Sequence, residues 1–545
     1  MNKKTGFLIF FYVFCIFFPI FLKSKPSNST KPKITVVIVI DQFANHYIDK
    51  LRAHFKYAFK DLLENGIVYS NAHHPHGSPS TATGHIALNT GTLANQHGIS
   101  SNKWLDSNNK KIKYEVDTAE SSKTFFDPTN SGISPQNIMV EGLTDSFLAA
   151  DKNNKAFALS YKTRAAVACA SKKGKAFWFE KNSGNFTSSK YYFDQLPEWV
   201  CKFNQEKNPA KTKDYLWKTL YSENGPEYKF KNIHDYSFAR YNSSLVGKPI
   251  AVDLSAQKPF EFFKKTPAAN QHLIDLAKAC LNQNLDKNTN QFLLWLSLSS
   301  LDPIGHCYGP NSLEVIDLIY HLDKQIQDFM QFVTQKVGAE NVLFVLTADH
   351  GICQIPELLK KDGNKKAKRI LSEPLTEKMN NLIKNKYSIE NIVKFPSGIA
   401  FFLDKEKLNS NGKEIKKQIL NDLTSLLKKE PGIKNAWITK EFQKQNFTFD
   451  QPENFYKMQI YPKRTGQIIF QPEKYCFVTK KPQGTVHKTC HEYNTHVPLF
   501  LYQKNNLENK IISDKVWMPQ LAPTIAKIIG VSKPSASDFA GLPGI

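Results

Sequence analysis

The stretch "ITVVIVI" at residues 34–40 decides the fold. A run of Ile and Val broken by a single Thr, with no polar alternation, describes a strand buried on both faces, as in the interior of a parallel sheet. Similar runs recur far downstream: "QFLLWLSLSS" at 291–300, "NVLFVLTA" at 341–348 and "VPLFLY" at 497–502, with a weaker one, "AFALSY", at 156–161. Helical patterns lie between them. From Ser312 to Val337 the residues Val315, Ile316, Ile319, Leu322, Ile326, Met330 and Val333 step by three or four, which gives one buried helix face. "HLIDLAKACL" at 272–281 and "LAPTIAKIIG" near the C-terminus read the same way. Strands alternating with helices predict an α/β protein, a three-layer α/β/α arrangement with a mostly parallel central sheet.

The chain has 545 residues, enough for one large α/β domain with insertions or for two to three ordinary domains. Two stretches read as insertions, caps on the main sheet: about 165–260, rich in Lys, Asn, Tyr and Phe, and about 355–485. A hydrophobic fraction of 41% argues for a packed core and against disorder. The formal charge of +23 comes from scattered Lys, without a basic stripe interleaved with aromatics, so no nucleic acid partner is expected. At the N-terminus, Lys3 and Lys4 precede the apolar run Phe7 to Leu22, which is followed by "KSKPSNSTKPK". That order is an export signal; with no clear cleavage site, residues 1–24 read as a signal peptide or an uncleaved membrane anchor. The eight Cys are widely spaced, with no C-x-x-C pair, unlike a disulfide scaffold or a zinc finger, though the spacing leaves room for one or two bridges.

In an open α/β sheet, ligands bind beyond the carboxyl ends of the strands. The first run is followed by Asp41, the run at 291–300 by Asp302 in "DPIGHCYG" with His306 four residues on, and the run at 341–348 by Asp349 and His350. His487, His491 and His496 precede the last run closely. Any one of these is ordinarily a cap or a satisfied core residue. Jointly, on one edge of one sheet, they form an inventory of carboxylate and imidazole that suits zinc. The count serves two ions, one held by Asp302, His306 and a His near 487, the other by Asp41, Asp349 and His350. Two such ions form the clamp used for displacement at phosphorus. "GSPSTATGH" at 77–85 crowds four hydroxyls ahead of an apolar helical stretch. A helix cap is one reading; an alcohol nucleophile activated by the metals and the helix N-terminus is the other.

These residues resemble the alkaline phosphatase superfamily, and within it the bacterial phosphate-irrepressible alkaline phosphatases. The resemblance runs from about residue 33 to near residue 545. It is carried by "VIVIDQ", "TATGHIALNTGTLANQHGISSNKW", "SYKTR", "AFWFE", "DPIGHCYGPNSLEV", "TADHG" and "GTVHKTCHEYNTHVPLF" in that order. It implies an alkaline-phosphatase-like catalytic domain over 33–545 that is exported, periplasmic or anchored to the inner membrane, and monomeric. It implies hydrolysis of phosphate monoesters at two Zn2+, through a covalent phosphothreonine on Thr81. By the same resemblance, Asp302, His306 and His487 hold one zinc, while Asp41, Asp349, His350 and Thr81 hold the other. Asn102, Lys162 and Arg164 grip the phosphoryl oxygens. Pro79 stands one position closer to Thr81 than the family pattern has it, so a one-residue shift would make Ser80 or Thr83 the attacker. His491 and His496 are expected outside the ligand set. Two other readings remain: a phosphodiesterase or nucleotide pyrophosphatase of the same superfamily, which typically lacks the Lys162–Arg164 pair, and an inactive membrane-anchored binding protein on this fold.

Overall fold

The computed structural model describes residues 31–106, 108–126, 132–212 and 214–545. The predicted signal or anchor at 1–24 lies outside them. Among the described residues, no helix is long and apolar enough to cross a membrane, and the cysteines are unpaired.

The central sheet has ten strands, numbered here in chain order: β1 (Ile34–Ile40), β2 (Ile67–His73), β3 (Lys155–Ser160), β4 (Lys175–Phe179), β5 (Phe186–Thr187), β6 (Phe292–Leu298), β7 (Val342–Thr347), β8 (His496–Tyr502), β9 (Lys510–Ile512) and β10 (Val516–Trp517). Their order is β9-β2-β8-β7-β1-β6-β3-β4-β5, with β10 also on β2. The block β7-β1-β6-β3-β4 is wholly parallel. Every residue of β1, β6 and β7 is buried, as their unbroken apolar runs require.

Helices cover both faces. One group comprises α2 (Thr81–Thr90), α3 (Leu143–Ala150), α4 (Thr163–Ala170) and α8 (Leu521–Ile529), which pack on one another; the other comprises α1 (Ala58–Asn65), α5 (Pro267–Asn284), α6 (Leu301–Tyr308) and α7 (Leu313–Val337), packed around α7. The architecture is therefore the α/β sandwich expected from the sequence. Helix α7 starts at Ser312, whose Oγ accepts from the Val315 N–H, and its buried positions include the seven that set the predicted stripe.

Two features of the pairing differ from a reading of separate runs. Strand β8 lies antiparallel to both β7 and β2. It therefore enters the sheet from the edge where the parallel strands end. In the stretch 165–260, β4 and β5 pair within the central sheet, so only the part beyond β5 departs from it. That part is anchored on α7 by the buried Asp317, which accepts from the Trp217 indole at 2.6 Å and from the Leu220 N–H at 2.8 Å. Between β7 and β8 the chain builds a separate antiparallel sheet from Val393–Ser397, Ala400–Leu403, Ile468–Pro472 and Ile433–Ile438. With two helices it encloses its own apolar cluster, including Met379, Phe401, Ile419 and Leu423.

Candidate active site

Strands β7, β1 and β6 are neighbours, so the residues that follow them share one small area of the sheet edge. Asp349 and His350 follow β7, Asp41 follows β1, and Asp302 opens α6 after β6, with His306 one turn later. Lys162 follows β3, the next strand over. His487 arrives on the segment that leads into the reversed strand β8, which delivers it to the same edge.

The side chains meet. His306 Nε2 lies 3.2 Å and His487 Nε2 3.5 Å from Asp302 Oδ1. His350 Nε2 lies 3.6 Å from Asp41 Oδ1 and 3.4 Å from Asp349 Oδ2. Two sets have ligand atoms all within 4.8 Å of one another: Asp302, His350 and His487, and Asp41, Asp349 and His350. His350 thus stands in both, with its ring stacked on that of His487 at 3.5 Å between centroids. The Lys162 ammonium donates to Asp41 Oδ2 at 2.6 Å and to Asp302 Oδ2 at 2.5 Å.

The donor set fits divalent cations. The other ring nitrogen of each histidine bonds a backbone carbonyl: His306 Nδ1 to Thr485 O at 2.7 Å, His350 Nδ1 to Gly351 O at 3.1 Å, and His487 Nδ1 to Pro79 O at 3.1 Å. A carbonyl only accepts, so Nδ1 carries the proton and each Nε2 presents a lone pair toward a carboxylate oxygen. Lone pairs that face one another in this way fit a cation held between them. Asp41 Oδ1, Asp349 Oδ2 and His350 Nε2 are buried without any hydrogen-bond partner, and three carboxylates against one ammonium leave the buried cluster anionic. Burial, followed by the neighbouring Asp349, raises the Asp41 carboxyl well above the usual range, with Lys162 opposing. Burial acts likewise on Asp302, but Lys162 and then His306 outweigh it and hold that carboxyl well below. Burial keeps His350 neutral by lowering it well below the imidazole range.

Thr81 is the first residue of α2, and Ser80 is its cap. Ser80 Oγ accepts from the Thr83 N–H at 3.5 Å and Thr83 Oγ1 from the Ser80 N–H at 3.0 Å. Both flanking hydroxyls are therefore committed to a capping box, while Thr81 Oγ1 faces the Lys162 ammonium at 3.4 Å. Asn102 Oδ1 accepts from the Ala82 N–H at 3.0 Å, which holds its side chain at the start of the helix. Arg164 lies in the first turn of α4, which packs on α2, and its buried Nε has no partner. Gly84 lets α2 lie this close, because a Cβ there would stand 2.2 Å from Asp349 O. His491 and His496 stay out of both ligand sets, and so does His306, which the sequence reading placed in the first and which meets Asp302 of it; His496 Nε2 donates to Ser70 O at 3.0 Å.

Three contributors escaped the sequence reading. Gln42, at φ 71°, donates its backbone N–H to Asp349 Oδ1 at 3.1 Å and its side-chain amide to Asp302 Oδ1 at 2.7 Å. His85 Nδ1 donates to Thr81 O at 2.9 Å and lies 3.2 Å from Asp349 Oδ2, while its Nε2 meets Ser297 Oγ at 2.9 Å. Gln459, from the inserted segment, donates to Ser78 O at 2.9 Å and to Ser100 O at 2.8 Å, tying together the loops that carry Thr81 and Asn102. The adjacency of Gln42 to Asp41 and of His85 to the hydroxyl cluster was the available signal for the first two. Gln459 offered none.

A family model described as type I phosphodiesterase / nucleotide pyrophosphatase matches residues 35–498. The chain belongs to that family. The match spans every strand-end residue of the cluster. Among relatives of this family member, the alkaline phosphatase PhoV of Synechococcus elongatus is 28% identical, over 94% of this chain and 92% of that protein. The alkaline phosphatase PafA of Elizabethkingia meningoseptica is also 28% identical, over 94% of each. A crystal structure of PafA shares the fold, with a TM-score of 0.84 at 24% identity, covering 94% of this chain and 98% of that one. The protein is thus an enzyme of the alkaline phosphatase superfamily, of the PafA-like, phosphate-irrepressible type that its motifs resemble.

Proposed function

We propose that this protein is an exported zinc-dependent alkaline phosphatase that hydrolyses phosphate monoesters through a phosphothreonine at Thr81. The carrying observation is the ring of neutral Nε2 atoms and unpartnered carboxylate oxygens at the strand ends beside the Thr81 hydroxyl. Asp302, His306 and His487 would hold one zinc, and Asp41, Asp349, His350 and Thr81 the other. When bound, two such ions supply Lewis acidity to the attacking and departing oxygens. The chain's own groups do the rest. Thr81 Oγ gives its proton to a water and forms a bond to phosphorus as the ester P–O bond breaks, and the leaving oxygen takes a proton back from water. A water then attacks the phosphothreonine, which releases phosphate and regenerates the hydroxyl. Asn102, Lys162 and Arg164 converge on the non-bridging oxygens, and the pair of cations rewards the charge of a monoester dianion over that of a diester.

The N-terminal apolar segment supports export to the periplasm or attachment at the inner membrane, and the enzyme is read as a monomer. The family model's description favours diester substrates as the second reading. Assay of an aryl phosphate and a bis-aryl phosphate, with metal analysis and acid-quenched peptide mapping, tests the proposal. Expected are about two zinc ions per chain by the two-set geometry, loss of turnover with EDTA, recovery with zinc, and a phosphate on Thr81. Activity indifferent to chelators, or a clear diester preference, would overturn it.

A further inference from the structure

The mouth of the site carries more positive charge than the reacting phosphoryl group engages. Lys103 follows Asn102 and Lys488 follows His487, and Arg240 approaches His306 from a third segment. Arg240 Nη2 donates to Thr485 O at 3.4 Å, the carbonyl that also takes the His306 Nδ1 proton at 2.7 Å. Its backbone N–H donates to Cys307 O at 2.9 Å. Lys488 feels the like charges of Lys103, Arg240 and Lys480, and Lys103 those of Lys480 and Arg164. Among the described residues, no carboxylate lies within 4.0 Å of Lys103, Lys488 or Arg240, and Lys480 has only the exposed Glu373 at 3.7 Å. Crowding unpaired cations is unfavourable unless an anion joins them.

Arg240 also lines an open cleft of about 850 Å³, with Tyr236, Tyr241 and Gln483 among its walls. Its one carboxylate, Asp235, is engaged by Lys361 at 3.1 Å. The cleft is bonded to the site: Gly484 N–H donates to Phe238 O at 2.8 Å and Thr485 N–H to His306 O at 3.1 Å. Thr81 would stand with the Asp41, Asp349 and His350 set, whereas Arg240 shares the Thr485 carbonyl with His306 of the other set. In an in-line displacement the departing oxygen leaves on the side away from the nucleophile. We propose that this cleft is the leaving-group subsite, and that Arg240, with Lys488 and Lys480 as neighbouring cations, selects monoesters whose leaving group bears a second phosphate, as in organic bisphosphates. The inference rests on the phosphomonoesterase reading above.

Butane-1,4-diol monophosphate and bisphosphate test it, since both release the same kind of alkoxide and differ in a distal charge. After correction for two equivalent ends, the bisphosphate should have the higher kcat/KM by roughly 10-fold or more at low ionic strength, and the advantage should shrink as salt is added. Arg240→Gln should reduce that ratio several-fold, because the ratio reads only the distal charge. Lys480→Gln, an exposed change that spares the fold, should lower the ratio in the same direction. A native ratio near one with active turnover of the monophosphate would overturn the subsite and leave the phosphomonoesterase reading intact, as would a ratio unmoved by both substitutions. Failure to hydrolyse either ester would overturn both.

Discussion

Gln42 donates its side-chain amide to Asp302 at 2.7 Å, across 260 residues of chain. The same residue's backbone N–H reaches Asp349, so one glutamine orients a carboxylate of each ligand set. Gly305 makes room for it, since a Cβ there would lie 2.0 Å from Gln42 Oε1. Partners that orient metal-binding carboxylates typically contribute ~10- to 100-fold to affinity or activity. If the proposed zinc site is right, Gln42→Ala should weaken zinc binding, read by competition with a chromogenic chelator, and lower kcat/KM by about that factor. Unchanged zinc affinity would show that the two contacts are incidental.

The capping box separates three adjacent hydroxyls by role. Thr81→Ala should abolish turnover by several orders of magnitude with little change in stability. Ser80→Ala should instead lower stability by about 0.5–2 kcal/mol, the usual loss for a removed cap, and retain most activity. Denaturant melts and initial rates on both variants decide the matter. A dead Ser80→Ala and an active Thr81→Ala would transfer the nucleophile to Ser80.

Arg164 and Lys162 differ in what else they touch. Lys162 bridges two carboxylates, so its removal changes the charge of the whole cluster. Arg164 makes no such bridge, which makes Arg164→Ala the cleaner probe of substrate charge. Loss of a charge-assisted hydrogen bond costs about 1.5–3 kcal/mol, or roughly 10- to 150-fold in monoester kcat/KM. The diester rate should fall far less. Equal losses on both substrates would place the guanidinium away from the non-bridging oxygens.

Acid should destabilise the fold through buried neutral histidines. Burial lowers His97 and His272 to about 3, against an ordinary value near 6.5. The unfolded chain therefore takes up protons that the fold refuses. Their contribution is intact above pH 6.5 and declines as the pH falls from there toward 3, by ~1.4 kcal/mol per pH unit for each proton bound. Asp323, raised to about 6 mainly by burial, works in the opposite direction over part of that window. Denaturant midpoints measured from pH 7.5 to 4.5 should fall. A flat profile would mean that these imidazoles are not buried in solution.

The apolar runs at 34–40, 292–298 and 342–347, and the Asp that closes each, are legible in the sequence because a strand buried on both faces is a local, unbroken signal and the residue after it is pinned to the sheet edge. Ser312 and the stripe behind it are legible for the same reason. Which strands lie side by side is a different matter. The adjacency of β7, β1 and β6 brings three carboxylates within reach of one another, and it is set by hydrogen bonds between segments hundreds of residues apart. The reversal of β8 delivers His487, and the inserted segment sends Gln459 back onto the loops of Thr81 and Asn102. Neither leaves a trace in composition or periodicity. Residue type and spacing along the chain determined what chemistry was available. Pairing between distant strands, together with the direction in which each side chain leaves its backbone, decided which of those groups meet.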